Sequence, residues 1–320
     1  MRRFWLGVVL CAAAVVPPAS GSAQTYPSRV VRIIVPFPPG SGTDILSRMI
    51  SEQLSRKWNA SVITENGPGA SGNIGAAEVF RAAPDGHTLM IAPPGPISTN
   101  KFLFKELAYD PARWVAISWL ASVPYVLIVP TAADGGFKEL IARAKANPGK
   151  VTTAVPGPGG TAHLSVAYLE AMAGIKFLYV PYRGLGPAIN DIVAGHVDSM
   201  FDTFTTSLPQ HKGGRVKMVA VASTKRNPVL PDVPAIAEFY PGYRSITWFG
   251  LVAPPGTPDA IADKISRDVG EILRQPDVNA RLREMQMEPV GSTRAEARRF
   301  FDDEAELWGK VIRDANITLQ

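Results

Sequence analysis

The sequence predicts an α/β protein with largely parallel sheets, and two observations support this prediction. Short β-rich runs recur along the 320 residues, and amphipathic helical segments lie between many of them. Strands that alternate with helices are typical of parallel sheets, because a helix is the usual crossover between parallel strands. The hydrophobic content of 46% is enough for a large core, and the length suggests one large domain or two smaller ones.

The elements are predicted from apolar runs and helical spacing. Strands are expected at 29–37, 61–66, 88–92, 125–130, 151–155, 176–182, 216–223 and 246–254. Helices are expected at 43–58, 161–174, 187–195, 257–285 and 293–315. The charged faces of the last two segments are interpreted as solvated surface.

Residues 1–23 predict a secretory signal peptide. Two arginines precede a short apolar run, and small residues at its end suggest cleavage between Ala23 and Gln24. An uncleaved membrane anchor is the alternative, but the run is shorter than the about 20 apolar residues that span a membrane. A lipid anchor on Cys11 is rejected, because Leu10 stands where a small residue is expected. Export points to the bacterial periplasm.

Composition excludes several kinds of site and partner. Cleavage after Ala23 would remove the only cysteine, which excludes a disulfide framework and a thiol nucleophile in the mature chain. Without Arg2 and Arg3, 31 basic residues face 28 acidic ones, a net charge of about +3 with no basic run, so nucleic acid is not an expected partner. The four histidines lack zinc-ligand spacing, and neither a metal nor a cofactor is expected.

Three glycine-rich turns, 38–44, 66–73 and 156–163, each lead from a strand to a helix. Backbone amides in such a turn, together with the helix N-terminus, can bind an anion without a basic side chain. The alternative is an ordinary connection, which every α/β fold needs. Residues 67–72 match a dinucleotide pattern only weakly, because Pro68 lacks an amide hydrogen and no acidic residue stands about 20 positions on.

The sequence carries no motif that identifies an enzymatic site. No G-x-S-x-G nucleophile elbow and no phosphate-binding Walker loop is present in the sequence. His163 follows the third glycine turn, but a catalytic role would need a nucleophile and an orienting acid, and neither can be identified. Packing, bracing of the loop and ligand contact all remain open for His163.

Five segments in fixed order carry a resemblance to a known family. They are YPSRVVRIIVPFPPGSGTD, ENGPGASGNIGAAEVFRAAPDGHTL, PGPGGTAHLSVAYLE, VPYRGLGPAINDIVAGHVDSMFD and RNPVLPDVPAIAEFYPGY. Together they resemble the periplasmic solute receptors of tripartite tricarboxylate transporters, also called the Bordetella uptake gene (Bug) family. Ser41 departs from the usual glycine, and residues 203–214 are an altered version of the family's segment.

The resemblance implies a fold. It is a two-lobed, type II-like periplasmic binding protein, a Venus flytrap with two crossovers and a C-terminal helical segment. The crossovers are expected near Tyr125 and Ile246. Lobe one would then comprise residues 24–124 and 247–320, and lobe two residues 125–246.

The resemblance also implies a ligand site. Amides around Phe37, Gly40, Ser41 and Gly42 would form half of a carboxylate clamp, at the start of a helix capped by Thr43 or Asp44. The other half of the clamp and the contacts to the far end of the ligand come from lobe two. These residues are Gly159, Gly160, Thr161, His163, Tyr182, Arg183, Gly184, Asp202, Thr203 and Thr205.

Two of the distal residues have charged side chains. Arg183 would meet a second carboxylate on the ligand in a bidentate contact. Asp202 would either contact the ligand or pair with Arg183.

The function implied is that of a monomeric, non-enzymatic periplasmic receptor. It would bind a di- or tricarboxylate, an aromatic acid or an amino acid, and deliver it to the membrane subunits of a tripartite tricarboxylate transporter. An exported α/β hydrolase is the alternative from another class. A sensor that presents its bound ligand to a signalling partner is a third reading.

Overall fold

The computed structural model describes residues 26–319, so the predicted signal peptide lies outside the described residues. The strands in this range are β1 Val31–Val35, β2 Val62–Asn66, β3 Thr88–Ala92, β4 Val115–Pro130, β5 Thr152–Val155, β6 Leu178–Pro181, β7 Ser199–Thr203, β8 Val216–Val221, β9 Ile246–Ala253 and β10 Glu288–Pro289. The helices are α1 Gly42–Trp58, α2 Asn73–Phe80, α3 Asn100–Leu103, α4 Phe137–Ala146, α5 Thr161–Ala173, α6 Leu185–Ala194, α7 Phe204–Lys212, α8 Asp259–Arg274, α9 Pro276–Glu284 and α10 Arg294–Asp314.

The strands form two parallel groups that the long strand β4 joins. The order is β2-β1-β3-β9-β4-β7-β5-β6, with β8 and β10 also paired to β4. Strand β1 is parallel to β2 and β3, and β5 is parallel to β6 and β7. At the centre, β9 is antiparallel to β3 and β4, and β7 is antiparallel to β4. The α/β prediction is confirmed, and the antiparallel centre is where the chain passes between the two groups.

The chain changes groups at two neighbouring positions. Strand β4 pairs with β9 up to Pro124 and with β7 from Tyr125 onward. The return lies beside it, where the amide of Tyr125 donates to the carbonyl of Ser245 at 3.3 Å, just before β9 begins. We propose that these are the lobe boundaries, with residues 26–124 and 247–319 in lobe one and 125–246 in lobe two.

Each group has its own hydrophobic core on both faces of its strands. Ile33 and Leu251 are fully buried in the first group, and Phe201 and Ala220 in the second. A separate apolar cluster connects helices of both groups, because α3 and α10 meet α5 there. The protein thus has the two-lobed architecture of a periplasmic binding protein, with α10 as the main helical contact between its lobes.

Several predicted boundaries differ from the structure: the segment 257–285 forms two helices, α8 and α9, and three other differences have an identifiable reason. Strand β4 begins at Val115 rather than 125; Pro124 obscured its continuity, because proline is rare inside strands. The N-cap of α1 is Ser41, whose Oγ accepts from the amide of Asp44 at 3.3 Å, so the predicted caps Thr43 and Asp44 were wrong. Helix α6 begins at Leu185, two residues before Pro187, since a proline is tolerated in the first turn.

No helix between residues 26 and 319 combines the length and the apolar character that crossing a membrane requires.

Candidate functional site

A cavity of ≈ 330 Å³ lies between the two strand groups. Its volume is at the lower end of the range for ligand sites, which suits a small molecule. The first group and α10 supply Phe37, Ser71, Pro93, Pro94, Gly95, Thr99, Asn100, Leu103, Thr247, Trp308 and Leu319. The second supplies Tyr125, Gly157, Pro158, Gly159, Gly160, Thr161 and Leu164. Four of the residues expected from the sequence, Phe37, Gly159, Gly160 and Thr161, therefore line one cavity.

The first turn of α5 brings backbone donors to this cavity, which Thr161 lines. Gly160 is the N-cap, and the first intrahelical bond runs from the amide of Leu164 to the carbonyl of Gly160 at 3.1 Å. The amides of Thr161, Ala162 and His163 consequently have no acceptor within residues 26–319. The N-terminus of a 13-residue helix adds a partial positive charge. This turn can bind an anion with backbone donors alone.

His163 braces the loop in front of that turn. Its Nδ1 accepts a hydrogen bond from the amide of Gly159 at 3.0 Å, and its ring meets Tyr179 edge-on at 5.1 Å between centroids. Burial lowers the pKa of His163 below its usual value, which keeps Nδ1 free to accept. The sequence left packing, bracing of the loop and ligand contact open for His163. The hydrogen bond from Gly159 shows that His163 braces the loop. The amides of Gly159 and Gly160 are themselves engaged, the second by the carbonyl of Gly157 at 3.0 Å.

The turn between β1 and α1 is held by Asp44. This buried carboxylate accepts from the amide of Gly40 at 2.9 Å, from Nε of Arg48 at 3.0 Å and from Nδ2 of Asn66 at 2.9 Å. Burial alone would raise the pKa of Asp44, but these hydrogen bonds hold it below its usual value. Phe37 lines the cavity, whereas Gly40, Ser41 and Gly42 do not. The amide of Gly40 is already occupied, so the loop is bonded to its own helix.

A third turn reaches the cavity through Ser71. Residues 69–72 all have positive φ, 135°, 46°, 55° and 89° in order, and two of them, Ala70 and Ser71, are not glycine. For the two non-glycine residues such backbone costs about 1–3 kcal/mol each, and it tends to occur at functional sites. Nδ2 of Asn100 supports the turn by donating to the carbonyl of Ser71 at 3.2 Å and to Oδ1 of Asn73 at 2.6 Å.

The distal residues expected from the sequence lie outside the cavity lining. The hydroxyl of Tyr182 donates to Asp191 at 2.6 Å, Arg183 is exposed, and Gly184 is the N-cap of α6. Thr203 caps α7, and Thr205 donates to the carbonyl of Met285 at 3.1 Å, which connects the two lobes away from the cavity.

The carboxylate of Asp202, which lies on β7, is bonded to the start of α7 rather than to Arg183. Its carboxylate accepts from the hydroxyls of Thr206 and Ser207, the second at 2.6 Å. Burial raises the pKa of Asp202, against the effect of these hydrogen bonds. Of the two alternatives for Asp202, pairing with Arg183 is not what the structure shows: the buried carboxylate is satisfied by nearer hydroxyls on the first turn of α7.

One wall of the cavity depends on α10. Trp308 is buried and lines the cavity, and its indole Nε1 donates to Glu304 at 3.0 Å. Glu304 also accepts from Nε1 of Trp248 at 2.8 Å and from Arg244 beside the second crossover. A single buried carboxylate thus ties the cavity wall to the chain segment between the lobes.

Sequence reasoning missed the lining residues that come from outside the glycine turns. Tyr125 and Thr247 lie at the predicted crossovers. Their position could have identified them as lining residues, because a cleft between lobes begins where the lobes join. Trp308 and Leu319 gave no local signal, since only the tertiary path of α10 brings them to the cavity.

Comparison with known proteins gives consistent results. The model of the tripartite tricarboxylate transporter family receptor matches residues 46–317. A UPF0065 protein from the tcbD-tcbE intergenic region of Pseudomonas sp. (strain P51) is 36% identical over 97% of this chain and 93% of its own length. Protein BugT of Bordetella pertussis is 31% identical, with 98% of this chain and 97% of BugT covered.

Solved structures agree with the fold. Rpa4515 of R. palustris with adipate has a TM-score of 0.81 and 34% identity, covering 92% of this chain and 100% of that one. MatC of Rhodopseudomonas palustris with bound malate has a TM-score of 0.76 and 31% identity, covering 90% and 100%. The periplasmic binding protein BugD has a TM-score of 0.76 and 32% identity, covering 92% and 100%. The chain therefore belongs to the tripartite tricarboxylate transporter receptor family.

Proposed function

We propose that this protein is a non-enzymatic periplasmic receptor that binds a small organic carboxylate between its lobes and delivers it to the membrane subunits of a tripartite tricarboxylate transporter. The observation that carries the proposal is the first turn of α5. Its three amides have no acceptor within the described residues, and Thr161 lines a cavity between the lobes. Solved relatives with bound adipate and malate support the ligand class.

The chemistry of the turn suits a carboxylate. Charge-assisted hydrogen bonds to preorganised amides are roughly twice as strong as neutral ones. Phe37, from the other lobe, lines the same cavity. A ligand that contacts both lobes binds the closed form better than the open form, and it shifts the equilibrium only by that difference. A membrane partner can then recognise the closed form.

Thermal unfolding of residues 24–320, stripped of co-purified ligand, tests the proposal. The panel pairs hexanoate and benzoate with hexanamide and benzamide, and adds adipate and malate. A ligand at 100 times its dissociation constant contributes about 2.7 kcal/mol, a rise on the order of 5–10 °C in the midpoint. We expect at least one carboxylate to raise the midpoint and its amide to leave it unchanged.

A variant that fills the cavity provides the control. Thr247 is half-buried on β9 and lines the cavity, so Thr247→Trp should keep the unliganded midpoint and lose the response to ligand. Equal shifts with carboxylate and amide, or an undiminished response in Thr247→Trp, would contradict the proposal. Hydrolysis of hexanoate or benzoate esters that is lost in His163→Ala would favour the exported hydrolase instead.

A further inference from the structure

A second opening lies between the lobes, on the other side of the crossover strands from the ligand cavity. This hinge groove has a volume of ≈ 460 Å³. Pro124 and Ile246, which pair with each other in β4 and β9, line the groove. The next residues along the two strands, Tyr125 and Thr247, line the cavity instead. Because successive side chains of a strand point to opposite faces, the crossover strands separate the groove from the cavity.

The two walls of the hinge groove belong to different lobes. Beside the crossover strands, lobe two supplies residues 223–229, and lobe one supplies Ser122, Arg283, Gln286, Met287 and Glu288. Oδ1 of Asn227 accepts from the amide of Val229 at 2.9 Å, which fixes the turn in the lobe-two wall. In the lobe-one wall, Arg283 donates to both carboxylate oxygens of Glu288, at 2.7 and 2.9 Å. Each wall is therefore a defined surface that moves with its own lobe.

The lobes touch on the cavity side while the hinge groove is open. Leu319 of lobe one lies so close to lobe two that a Cβ on Gly159 would be 2.5 Å from its Cδ1, and α10 packs against α5 beside it. The crossover strands lie between the two openings. A rotation about these strands that separates the contacts at the cavity therefore moves the groove walls toward each other. The groove is wide in the closed form and narrow in the open form.

We propose that the hinge groove controls lobe closure. A side chain that fills it is accommodated in the closed form but clashes with the opposite wall in the open form, so it shifts the equilibrium toward closure. Ser122 on lobe one and Thr224 on lobe two are the positions from which a larger side chain would act. Neither residue lines the ligand cavity.

A shift toward closure has a consequence for ligand binding, and this consequence rests on the proposed function. The apparent affinity of a receptor that binds only when closed is reduced by the fraction of unliganded protein that is already closed. For a closed form that is a minor state of about 0.1–10%, the gain in affinity is limited to about 10–1,000-fold. The change in lobe closure itself does not depend on what the ligand is.

Ser122→Trp and Thr224→Trp test the proposal, one from each wall. Calorimetric titration with adipate, malate, hexanoate and benzoate measures affinity, and small-angle X-ray scattering of the unliganded proteins measures the radius of gyration. We expect both variants to bind every acid that wild type binds at least about threefold more tightly, and to have a smaller unliganded radius of gyration than wild type. Thr224 is exposed, so its variant should fold even if tryptophan at the half-buried Ser122 prevents folding.

Ser61→Trp is the matched control, because Ser61 is exposed before β2 and lies outside the groove lining. It should equal wild type in affinity and in radius of gyration. Folded groove variants with the wild-type radius of gyration would overturn the inference, as would equal compaction in Ser61→Trp. If wild type binds none of these acids and the groove variants are nevertheless more compact, the proposed function fails while the inference stands.

Discussion

Replacing Glu304 should destabilise the protein more than any nearby surface change on α10. The side chain is 1% exposed, and its carboxylate accepts from the indoles of Trp248 and Trp308 and from Arg244. Glu304→Leu keeps helix propensity nearly constant and removes all three interactions. It leaves two buried indole N–H groups without an acceptor.

The expected loss follows from these contacts. An unsatisfied buried donor costs about 1–3 kcal/mol, and two are created. The side chain of Arg244 is 29% exposed, so water compensates part of its lost partner and little is added for it. We therefore expect Glu304→Leu to lower the free energy of unfolding by about 2–6 kcal/mol. At about 2–4 °C per kcal/mol, the midpoint should fall by roughly 4–24 °C.

Urea unfolding followed by tryptophan fluorescence measures this loss. Glu306 lies two residues along α10 and is exposed, so Glu306→Leu is the matched control and should change stability by no more than about 0.5 kcal/mol. Glu304→Gln retains an amide oxygen for the indoles and should lie between the two. Equal stability of Glu304→Leu and Glu306→Leu would refute the reasoning that this carboxylate ties α10 to the crossover.

Three further predictions concern the loops. Hydrogen bonds depress the pKa of Asp44 in the folded protein, so the ionised carboxylate contributes its full stabilisation above its ordinary pKa of about 4. The difference in unfolding free energy between wild type and Asp44→Asn, measured by urea titration, should shrink as the pH falls below that value. Burial depresses the pKa of His163, so the unfolded chain binds the proton first. Wild type should lose stability as the pH falls below about 6.5, and His163→Leu should lack that part of the slope. Gly159 has a φ of 76°, and a Cβ there would lie 2.5 Å from Cδ1 of Leu319, so Gly159→Ala should lower the free energy of unfolding by at least about 1–2 kcal/mol in thermal unfolding. Gly157→Ala is the control: its Cβ would have open space, and the loss should be less than about 1 kcal/mol.

Much of the fold could be predicted because its signals are local. The strand at Val31–Val35 is an apolar run, and α1 shows one apolar face between a serine cap and a left-handed Asn59. The first half of β4 was missed because Pro124 interrupts the pattern, although it lies where the strand changes partners.

Only the site residues that lie in a turn between a strand and the helix after it could be predicted from the sequence. Strand–turn–helix units place Phe37 and Gly159–Thr161 at strand ends, and both lie in the cavity. The remaining wall depends on long-range packing. Trp308 sits on the cavity side of α10, and Leu319 reaches it through a backbone bond to Leu103. A spacing rule cannot find such residues, because their partners lie more than 100 positions away.

A crystal structure of the protein with a carboxylate that raises its unfolding midpoint tests the central claim most directly. We expect the carboxylate between the lobes, with an oxygen about 2.7–3.1 Å from the amides at the first turn of α5. A ligand bound outside the cavity, or one whose carboxylate is held by side-chain cations such as Arg183 instead of these amides, would contradict it.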